Sequence, residues 1–202
     1  YGATQAWVYA FTFIGGLFAD KILGLRRSLF WGGLLMILGS VILAVSPKEL
    51  FFTGIVFTIV GTGFFKPNIS SMVGQLYKDG DSRRDAGFSL FYAGVNLGAL
   101  IGGYICIAVA NGNLWADLVP ENLRWNYAFG FASIVMIISL LTFTQTQKSL
   151  GEIGLSPLKH IEMSKRRIFE IATYIGSLAI IPVIILMVAN TKYTDYFMMI
   201  IG

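Results

Sequence analysis

Residues 60–71 read, in order, Val-Gly-Thr-Gly-Phe-Phe-Lys-Pro-Asn-Ile-Ser-Ser, and they lie inside a mainly apolar run from 51 to 77. Such a run is long enough to cross a bilayer as a helix, which takes about 20 residues. Lys66 would then lie about 15 residues into the helix, or roughly 22 Å along it. A lysine at that depth costs at least ~2.5 kcal/mol on insertion scales. Thr62 and Ser70 are four residues away on either side and share its face. The stretch therefore predicts a membrane helix with one polar face.

The composition of the whole chain also indicates a membrane protein. Of its 202 residues, 55% are hydrophobic and 13% are charged, whereas soluble domains carry about 25% charged residues. These values exclude an ordinary cytosolic enzyme, a disordered chain and a nucleic-acid-binding module, despite a formal net charge of +4. The single cysteine, Cys106, excludes an internal disulfide, and the single histidine, His160, argues against a metal site. An all-α, multi-pass membrane protein remains.

Apolar runs of membrane-helix length recur along the chain. They do not alternate strictly between apolar and polar residues, so a transmembrane β-barrel is disfavoured. The chain opens and closes within apolar runs, so we expect it to be an internal piece of a longer protein. The runs cover residues 1–19, 28–46, 51–77, 86–110, 126–145 and 168–189, and another opens near residue 196.

The basic residues predict the orientation in the membrane. When alternate loops are assigned to alternate sides, 11 of the 15 Lys and Arg residues fall on one side and 3 on the other. Basic loops stay in the cytoplasm. We therefore expect the loops at 20–27, 78–85 and 146–167 to be cytoplasmic and the loops at 47–50 and 111–125 to be external.

Lys66 has two interpretations. It could reach the cytoplasmic interface with its long side chain, or it could line a water-filled cavity and pair with a carboxylate. The apolar runs contain carboxylates only near their ends, so the second interpretation places the partner outside this chain. Gly61 and Gly63 allow another helix or a ligand to come close, and Pro67 removes a backbone donor.

The fourth run carries a polar pair and a glycine stripe on different faces. Tyr92 and Asn96 are four residues apart and share one face. Either an interhelical hydrogen bond or contact with a polar substrate would satisfy Asn96. Gly94, Gly98 and Gly102 form the stripe, which predicts close packing of a neighbouring helix.

The first run carries a polar stripe as well. Gln5, Tyr9, Thr12 and Gly16 recur at the spacing of one helical face. We expect this stripe to face a lumen and not lipid. Tyr9 precedes the first charged residue by about 11 positions, which places it near mid-membrane and away from the interfacial aromatic belt.

A dense motif follows the first run. Its residues are Gly16, Asp20, Gly24, Arg26 and Arg27. A topogenic basic loop would explain the arginines but not the glycines or the aspartate. Asp20 could accept hydrogen bonds at the N-terminus of a neighbouring helix, where the dipole favours an anion. The motif is therefore interpreted as a breakable latch between helix bundles.

Three segments of the chain resemble known transporter motifs. The Gly16-x-x-x-Asp20-Lys21-x-x-Gly24-x-Arg26-Arg27 sequence resembles the loop motif between the second and third helices of the major facilitator superfamily. Residues 61–70 and 91–98 resemble the two signatures of the proton-dependent oligopeptide transporter family, and residues 83–89 follow its pattern too. The resemblance is strong over 9–103 and extends over 1–145 in hydropathy.

The resemblance implies a fold and a function. Family members have two six-helix bundles and carry di- and tripeptides inward with protons by alternating access. They use no cofactor, and the proton gradient is their energy source. We therefore expect this protein to be a monomer in the inner membrane and not an enzyme. The family's first-helix motif, E-x-x-E-R, does not occur in this chain and would supply the carboxylate partner of Lys66. The resemblance places in the central cavity Lys66, Tyr9, Tyr92 and Asn96.

The resemblance also implies a division of the chain. Residues 1–145 would be helices two to six of the N-terminal bundle, and 146–167 a cytoplasmic linker. Residues 168–202 depart from the family's seventh helix and would instead be part of a helical hairpin between the bundles. This hairpin would face lipid and carry no substrate residue, so Glu170 and Pro182 would be structural.

Three other functions remain as alternatives. A related transporter could carry nitrate, amino acids or another small polar solute. A membrane enzyme would need a nucleophile with a base, and Ser70 and Ser71 have no histidine or second lysine within the membrane. A structural scaffold would leave Lys66 and Asn96 unexplained.

Overall fold

Each of the six apolar runs forms helix in the structure, a computed structural model that describes residues 2–45, 48–78 and 80–189. The run predicted to open near residue 196 lies outside the described residues. The helices are α1 (Gly2–Phe18, continued by a π-helical turn at Ala19–Leu23), α2 (Leu25–Val45), α3 (Phe51–Gln75), α4 (Arg83–Ala110), α5 (Arg124–Thr146), α6 (Met163–Ala179) and α7 (Ile181–Ala189).

Within the described residues, four stretches are long and apolar enough to cross a membrane. Helix α3 is not among them, since Lys66, Pro67 and Asn68 lower its mean hydropathy, and the described part of α1 has 17 residues. The four are α2, α4, the stretch around α5 from Glu121 to Leu150, and the combined α6 and α7 from Met163 to Met187.

Helix α3 lies at the centre of the packing because its glycines let two neighbours touch its backbone. A Cβ atom added at Gly61 would lie 2.7 Å from the carbonyl oxygen of Gly32 in α2, and one added at Gly63 would lie 2.5 Å from the carbonyl oxygen of Phe11 in α1. A second α2–α3 contact joins Gly39 and Gly54 in the same way. The close approach expected at Gly61 and Gly63 is thus to other helices.

The last apolar run is broken into two helices. Ile180 separates α6 from α7, and Pro182 follows at the second position of α7. Proline has no N–H to continue the α6 hydrogen-bond ladder, which explains the break. Ile181 and Ile184 of α7 are buried in the core that α1, α2 and α3 share.

Helix α4 is the most exposed of the long helices. It is buried only at its C-terminal end, at Ala108, Val109 and Ala110, where it meets α5. Added Cβ atoms at Gly94, Gly98 and Gly102 would meet nothing within 4 Å. The glycine stripe therefore packs against no helix in the described part of the chain.

Candidate functional site

Lys66 lies on the open side of α3. Gly61, Phe64 and Asn68 on the opposite side are buried, whereas Lys66 is exposed. It is the sixteenth residue of α3, so the predicted depth along the helix is confirmed. Within the described residues no carboxylate lies within ion-pair distance of its ammonium group.

The turn around Lys66 is shaped by Pro67. A proline at 67 cannot donate to the carbonyl of Gly63, and this carbonyl faces Gly15 of α1 at a distance that excludes any side chain there. The buried amide of Asn68 donates to the carbonyl oxygen of Phe64 at 2.7 Å. Asn68 thereby satisfies its own polar group inside the core and is not free to bind a ligand.

The other three predicted substrate residues are exposed on two helices. Tyr9 of α1 is 68% exposed, Tyr92 of α4 is 52% exposed, and Asn96 is exposed one turn further along α4. Among the described residues, no hydrogen bond or ion pair joins Lys66 to these side chains. The interhelical bond considered for Asn96 is not formed there, and the assignment of all four to a substrate site stays a prediction.

The stripe predicted on α1 has two different surroundings. The Thr12 hydroxyl donates to the carbonyl oxygen of Val8 at 2.8 Å, which satisfies it within its own helix. Gly16 lies against α3, where an added Cβ would meet the Cβ of Pro67 at 3.9 Å. Gly16 is therefore a contact with the Lys66 turn, in addition to being the first residue of the loop motif.

A wide opening separates the C-terminal end of α3 from the first turns of α4. Its volume is about 910 Å³, and its walls include Ser70, Gln75, Arg84 and Phe88. Ser70 lies one turn after Lys66 on the same face, so the opening continues from that face towards the end of the bundle. The sequence pattern does not predict this opening, because the opening exists only where α3 and α4 make few contacts.

The segment 147–160, which is part of the linker predicted at 146–167, is bound to the loop motif. Arg26 donates from its backbone N–H to the carbonyl oxygen of Gly154 at 3.0 Å, and from its guanidinium to that of Gly151 at 2.6 Å. Gly24 has a φ of +79°, and an added Cβ would lie 2.5 Å from the Ser156 nitrogen. Gly24 is thus required by both its backbone conformation and this contact.

Arg27 is held by α6. Its guanidinium is ion-paired with Glu170, and the same carboxylate oxygen accepts a 2.8 Å hydrogen bond from Arg166 one turn earlier in α6. The Glu170 side chain is 12% exposed, so one shielded carboxylate carries two guanidinium groups. The prediction that Glu170 is structural agrees with this contact, but the sequence did not indicate its partner in the motif.

Asp20 is exposed on the π-helical turn and borders a polar cavity of about 370 Å³. Gln75, Glu152 and His160 also line this cavity. Gln75 accepts a 3.2 Å hydrogen bond from the N–H of Gly154, so the end of α3 joins the same cluster. No hydrogen bond of Asp20 to a helix N-terminus occurs in the described residues, and the latch stays a prediction.

A local ion pair fixes the start of α4. The Asp81 carboxylate accepts hydrogen bonds from the backbone N–H of Arg83 at 2.9 Å and from its guanidinium at 2.8 Å. The side-chain hydrogen bond to Arg83 is the main reason why the pKa of Asp81 is lowered to about 2. This carboxylate therefore remains ionised at neutral pH and holds the first turn of α4.

The architecture defines a class of protein: a multi-pass helical membrane protein with an exposed lysine on its central helix α3. The family model described as "POT family" matches residues 26–190, which is most of the chain. The chain therefore belongs to the POT family, whose fold is of the major facilitator superfamily type.

Similar sequences come from bacterial peptide transporters. The chain is 38% identical over 189 residues to the di-/tripeptide transporter of Lactococcus lactis subsp. lactis, covering 92% of this chain and 36% of the relative. It is 43% identical over 132 residues to the peptide transporter YePEPT of Yersinia enterocolitica, covering 64% of this chain and 24% of the relative. The chain thus spans about a third or less of the length of these relatives.

Similar solved structures belong to the same family. A crystal structure of a POT peptide transporter in complex with alafosfalin matches 96% of this chain and 37% of that chain, with a TM-score of 0.69 and 33% identity. A POT family transporter in complex with 5-aminolevulinic acid matches 95% of this chain, with a TM-score of 0.69 and 32% identity. The fold and the resemblance seen in the sequence are therefore confirmed.

Proposed function

We propose that this chain is part of a transporter that carries di- and tripeptides into the cell together with protons by alternating access. The position of Lys66 is the observation that supports this proposal most directly. It is a cation at the sixteenth position of the mainly apolar helix α3, exposed on the open side of that helix, with no carboxylate partner among the described residues. An unpaired intramembrane lysine is expensive, so its retention points to function. Family membership and the peptide-transporter relatives support the substrate class.

In this proposal Lys66 couples the proton to the peptide. An acidic residue elsewhere in the full-length protein pairs with Lys66 when it is ionised and releases it when it is protonated. Each ligand then shifts the balance between inward-open and outward-open states. Tyr9, Tyr92 and Asn96 supply neutral hydrogen-bonding groups for the backbone or termini of the peptide, whose binding needs few but well-placed polar contacts.

The loop motif is the proposed gate. Asp20 is exposed beside a polar cavity, whereas Arg26 is bound to Gly151 and Arg27 to Glu170. Formation and loss of Asp20 contacts would accompany closing and opening on the side of the basic loops. The protein would act as a monomer in the cell membrane, with the basic loops in the cytoplasm.

The test of this proposal is Lys66→Ala in the full-length protein reconstituted in vesicles. We expect uptake of a labelled dipeptide driven by a pH gradient to fall at least about 100-fold, while exchange of dipeptide without a gradient falls less. Lys78→Ala, which removes a lysine from the loop between α3 and α4, is the matched control and should retain uptake. Undiminished gradient-driven accumulation in Lys66→Ala would overturn the role of Lys66.

A competition assay separates this function from the related one. Unlabelled dipeptide, nitrate, a free amino acid and 5-aminolevulinic acid are each added to the uptake assay. The proposal expects dipeptide to compete most strongly. Competition by nitrate or by a free amino acid at lower concentration than dipeptide would assign the chain to a transporter for another small polar solute.

A further inference from the structure

An apolar cavity lies between α1 and α6, outside the face that carries Lys66. Its volume is about 310 Å³. Phe18 and Phe169 at one end are 37% and 50% exposed, whereas Phe11 at the other end is buried. The walls come mainly from α1, its π-helical turn and α6, and they include Phe11, Phe18, Ile22, Phe169, Gly176 and Ile180.

The two hydroxyl groups in the walls of the cavity have no free donor for a polar ligand. Thr173 donates its hydroxyl to the carbonyl oxygen of Phe169 at 2.8 Å. Ser177 donates to the carbonyl oxygen of Tyr174 at 2.8 Å and accepts from the indole N–H of Trp31 at 3.0 Å. Both wall hydroxyls thus donate to backbone carbonyls, so neither has a proton left to donate to water or to a peptide. An apolar occupant fits these walls.

The shape of the cavity follows the helix axis. Its α6 wall runs from Phe169 to Ile180, which is about 16 Å at about 1.5 Å per residue. An apolar cavity that extends this far along a helix accepts part of a lipid acyl chain, which runs in the same direction through the hydrocarbon layer.

Basic side chains are concentrated at one end of this cavity. Lys165 lies one turn before Phe169 on the same face of α6 and is exposed. Arg166 and Arg27 share the carboxylate of Glu170, which directly follows Phe169. The two guanidinium groups outnumber this carboxylate, and Lys165 adds a further positive charge. Basic pockets between membrane helices bind anionic lipid head groups.

We propose that the α1–α6 cavity binds an anionic phospholipid, with one acyl chain between Phe18 and Phe169 and the head-group phosphate at Lys165, Arg27 and Arg166. The apolar walls select a lipid over a peptide or water, and the basic end selects an anionic head group over a neutral one. This site does not depend on the transported substrate, because none of its residues belongs to the predicted substrate cavity.

Native mass spectrometry of the detergent-purified full-length protein tests the site. Phosphatidylglycerol, phosphatidylcholine with the same acyl chains, and glycerol phosphate without acyl chains are added in turn. We expect phosphatidylglycerol to be retained about tenfold more than phosphatidylcholine, and glycerol phosphate not to be retained. Equal retention of the two lipids would overturn the assignment of an anionic ligand, and retention of glycerol phosphate alone would overturn the acyl-chain site.

Gly176→Leu fills the cavity. An added Cβ at Gly176 meets nothing within 4 Å, so the new side chain occupies the space of the lipid. We expect phosphatidylglycerol retention to fall about tenfold with an unchanged melting temperature. Ile175→Leu, on the exposed side of the same helix, is the matched control and should retain the lipid. Unchanged retention in a folded Gly176→Leu protein would overturn the proposal.

If Gly176→Leu does not fold, Lys165→Gln provides a second test of the lipid site. Loss of one charge near the head group should lower phosphatidylglycerol retention about fivefold and leave phosphatidylcholine unchanged. Lys148→Gln removes a charge from the segment after α5, away from the cavity, and should have no effect. Gly176→Cys gives a further test. If its thiol cross-links to another part of the protein and the protein retains no lipid, a protein segment fills the cavity and the proposal is wrong.

Discussion

At the scale of single residues, two kinds of glycine have opposite roles in this bundle. Gly61 and Gly63 let the backbones of α2 and α1 touch α3, where any side chain would overlap with main-chain atoms. Gly94 and Gly176 face open space. Sequence spacing alone does not separate these kinds, because both occur as small residues in apolar helices. Only the contacts show that the turn of α3 before Lys66 is packed between α1 and α2.

The first prediction concerns Gly63. An added methyl group in Gly63→Ala would lie 2.5 Å from the carbonyl oxygen of Phe11, and backbone atoms cannot rotate away. We expect a loss of about 1–3 kcal/mol in the free energy of unfolding, measured by thermal unfolding in detergent. Gly176→Ala is the matched control and should be neutral or slightly stabilising, because alanine favours helix. Equal melting temperatures of the two variants would contradict the close α1–α3 crossing.

At the scale of elements, α6 is attached to α2 by three kinds of contact. Glu170 holds Arg27, Ser177 accepts a hydrogen bond from Trp31, and the rings of Trp31 and Tyr174 lie 4.7 Å apart. Helix α7 adds Ile181 and Ile184 to the core of α1, α2 and α3. The rest of α6 is largely exposed, whereas the burial of Ile181 and Ile184 differs from the expectation that the run 168–189 faces lipid.

The second prediction concerns the ion pair between α2 and α6. Glu170→Gln leaves Arg27 and Arg166 without a carboxylate, so we expect α6 to detach more often from α2, at a cost of about 1 kcal/mol. Spin labels at Leu38 and Ile175 would report a broader distance distribution. Glu162→Gln, which removes an exposed carboxylate just before α6, should leave the distribution unchanged.

A double-mutant cycle tests whether Arg27 and Glu170 act together. Arg27→Gln, Glu170→Gln and the double variant should broaden the distances to a similar extent, because each removes the same contact. The exchanged pair, Arg27→Glu with Glu170→Arg, should restore a narrow distribution. Additive effects of the two single variants would show that the ion pair does not hold the helices together.

At the scale of the whole molecule, the segments rich in Lys and Arg meet at one end of the bundle. The loop motif, the end of α3 and the segment 147–160 contact one another there through Arg26, Gln75 and Gly154. The sequence predicted the same grouping from charge alone, with 11 of 15 basic residues on one side. The contacts place these loops on one side, and the charge rule predicts that this side is the cytoplasm.

The third prediction is therefore one of sidedness. In a cysteine-free background of the full-length protein that includes Cys106→Ala, Ser149→Cys should react with a membrane-impermeant thiol reagent only when the inner side of the membrane is accessible. Ala116→Cys, in the loop between α4 and α5, should react from outside intact cells. Both positions are exposed. The reverse labelling pattern would invert the topology and contradict the charge rule.

The sequence was sufficient for the helices and the family but not for the contacts at the basic end. Apolar runs give helix positions directly, since a bilayer requires about 20 apolar residues. Arg27 and Glu170, in contrast, are 143 residues apart in sequence, and Arg26 and Gly151 are 125 apart. No local pattern encodes such pairs. The segment 147–160 likewise has the polar, irregular composition of a linker, and only the structure shows that it is bound along its length.

These contacts fix the segment between α5 and α7 against the other described helices. Arg26 and Ser156 hold the segment after α5 against the turn between α1 and α2, Arg27 and Trp31 hold α6, and Ile184 anchors α7. Because these contacts occur from Gly151 to Ile184, we expect this part of the chain to move together with α1, α2 and α3 as one unit.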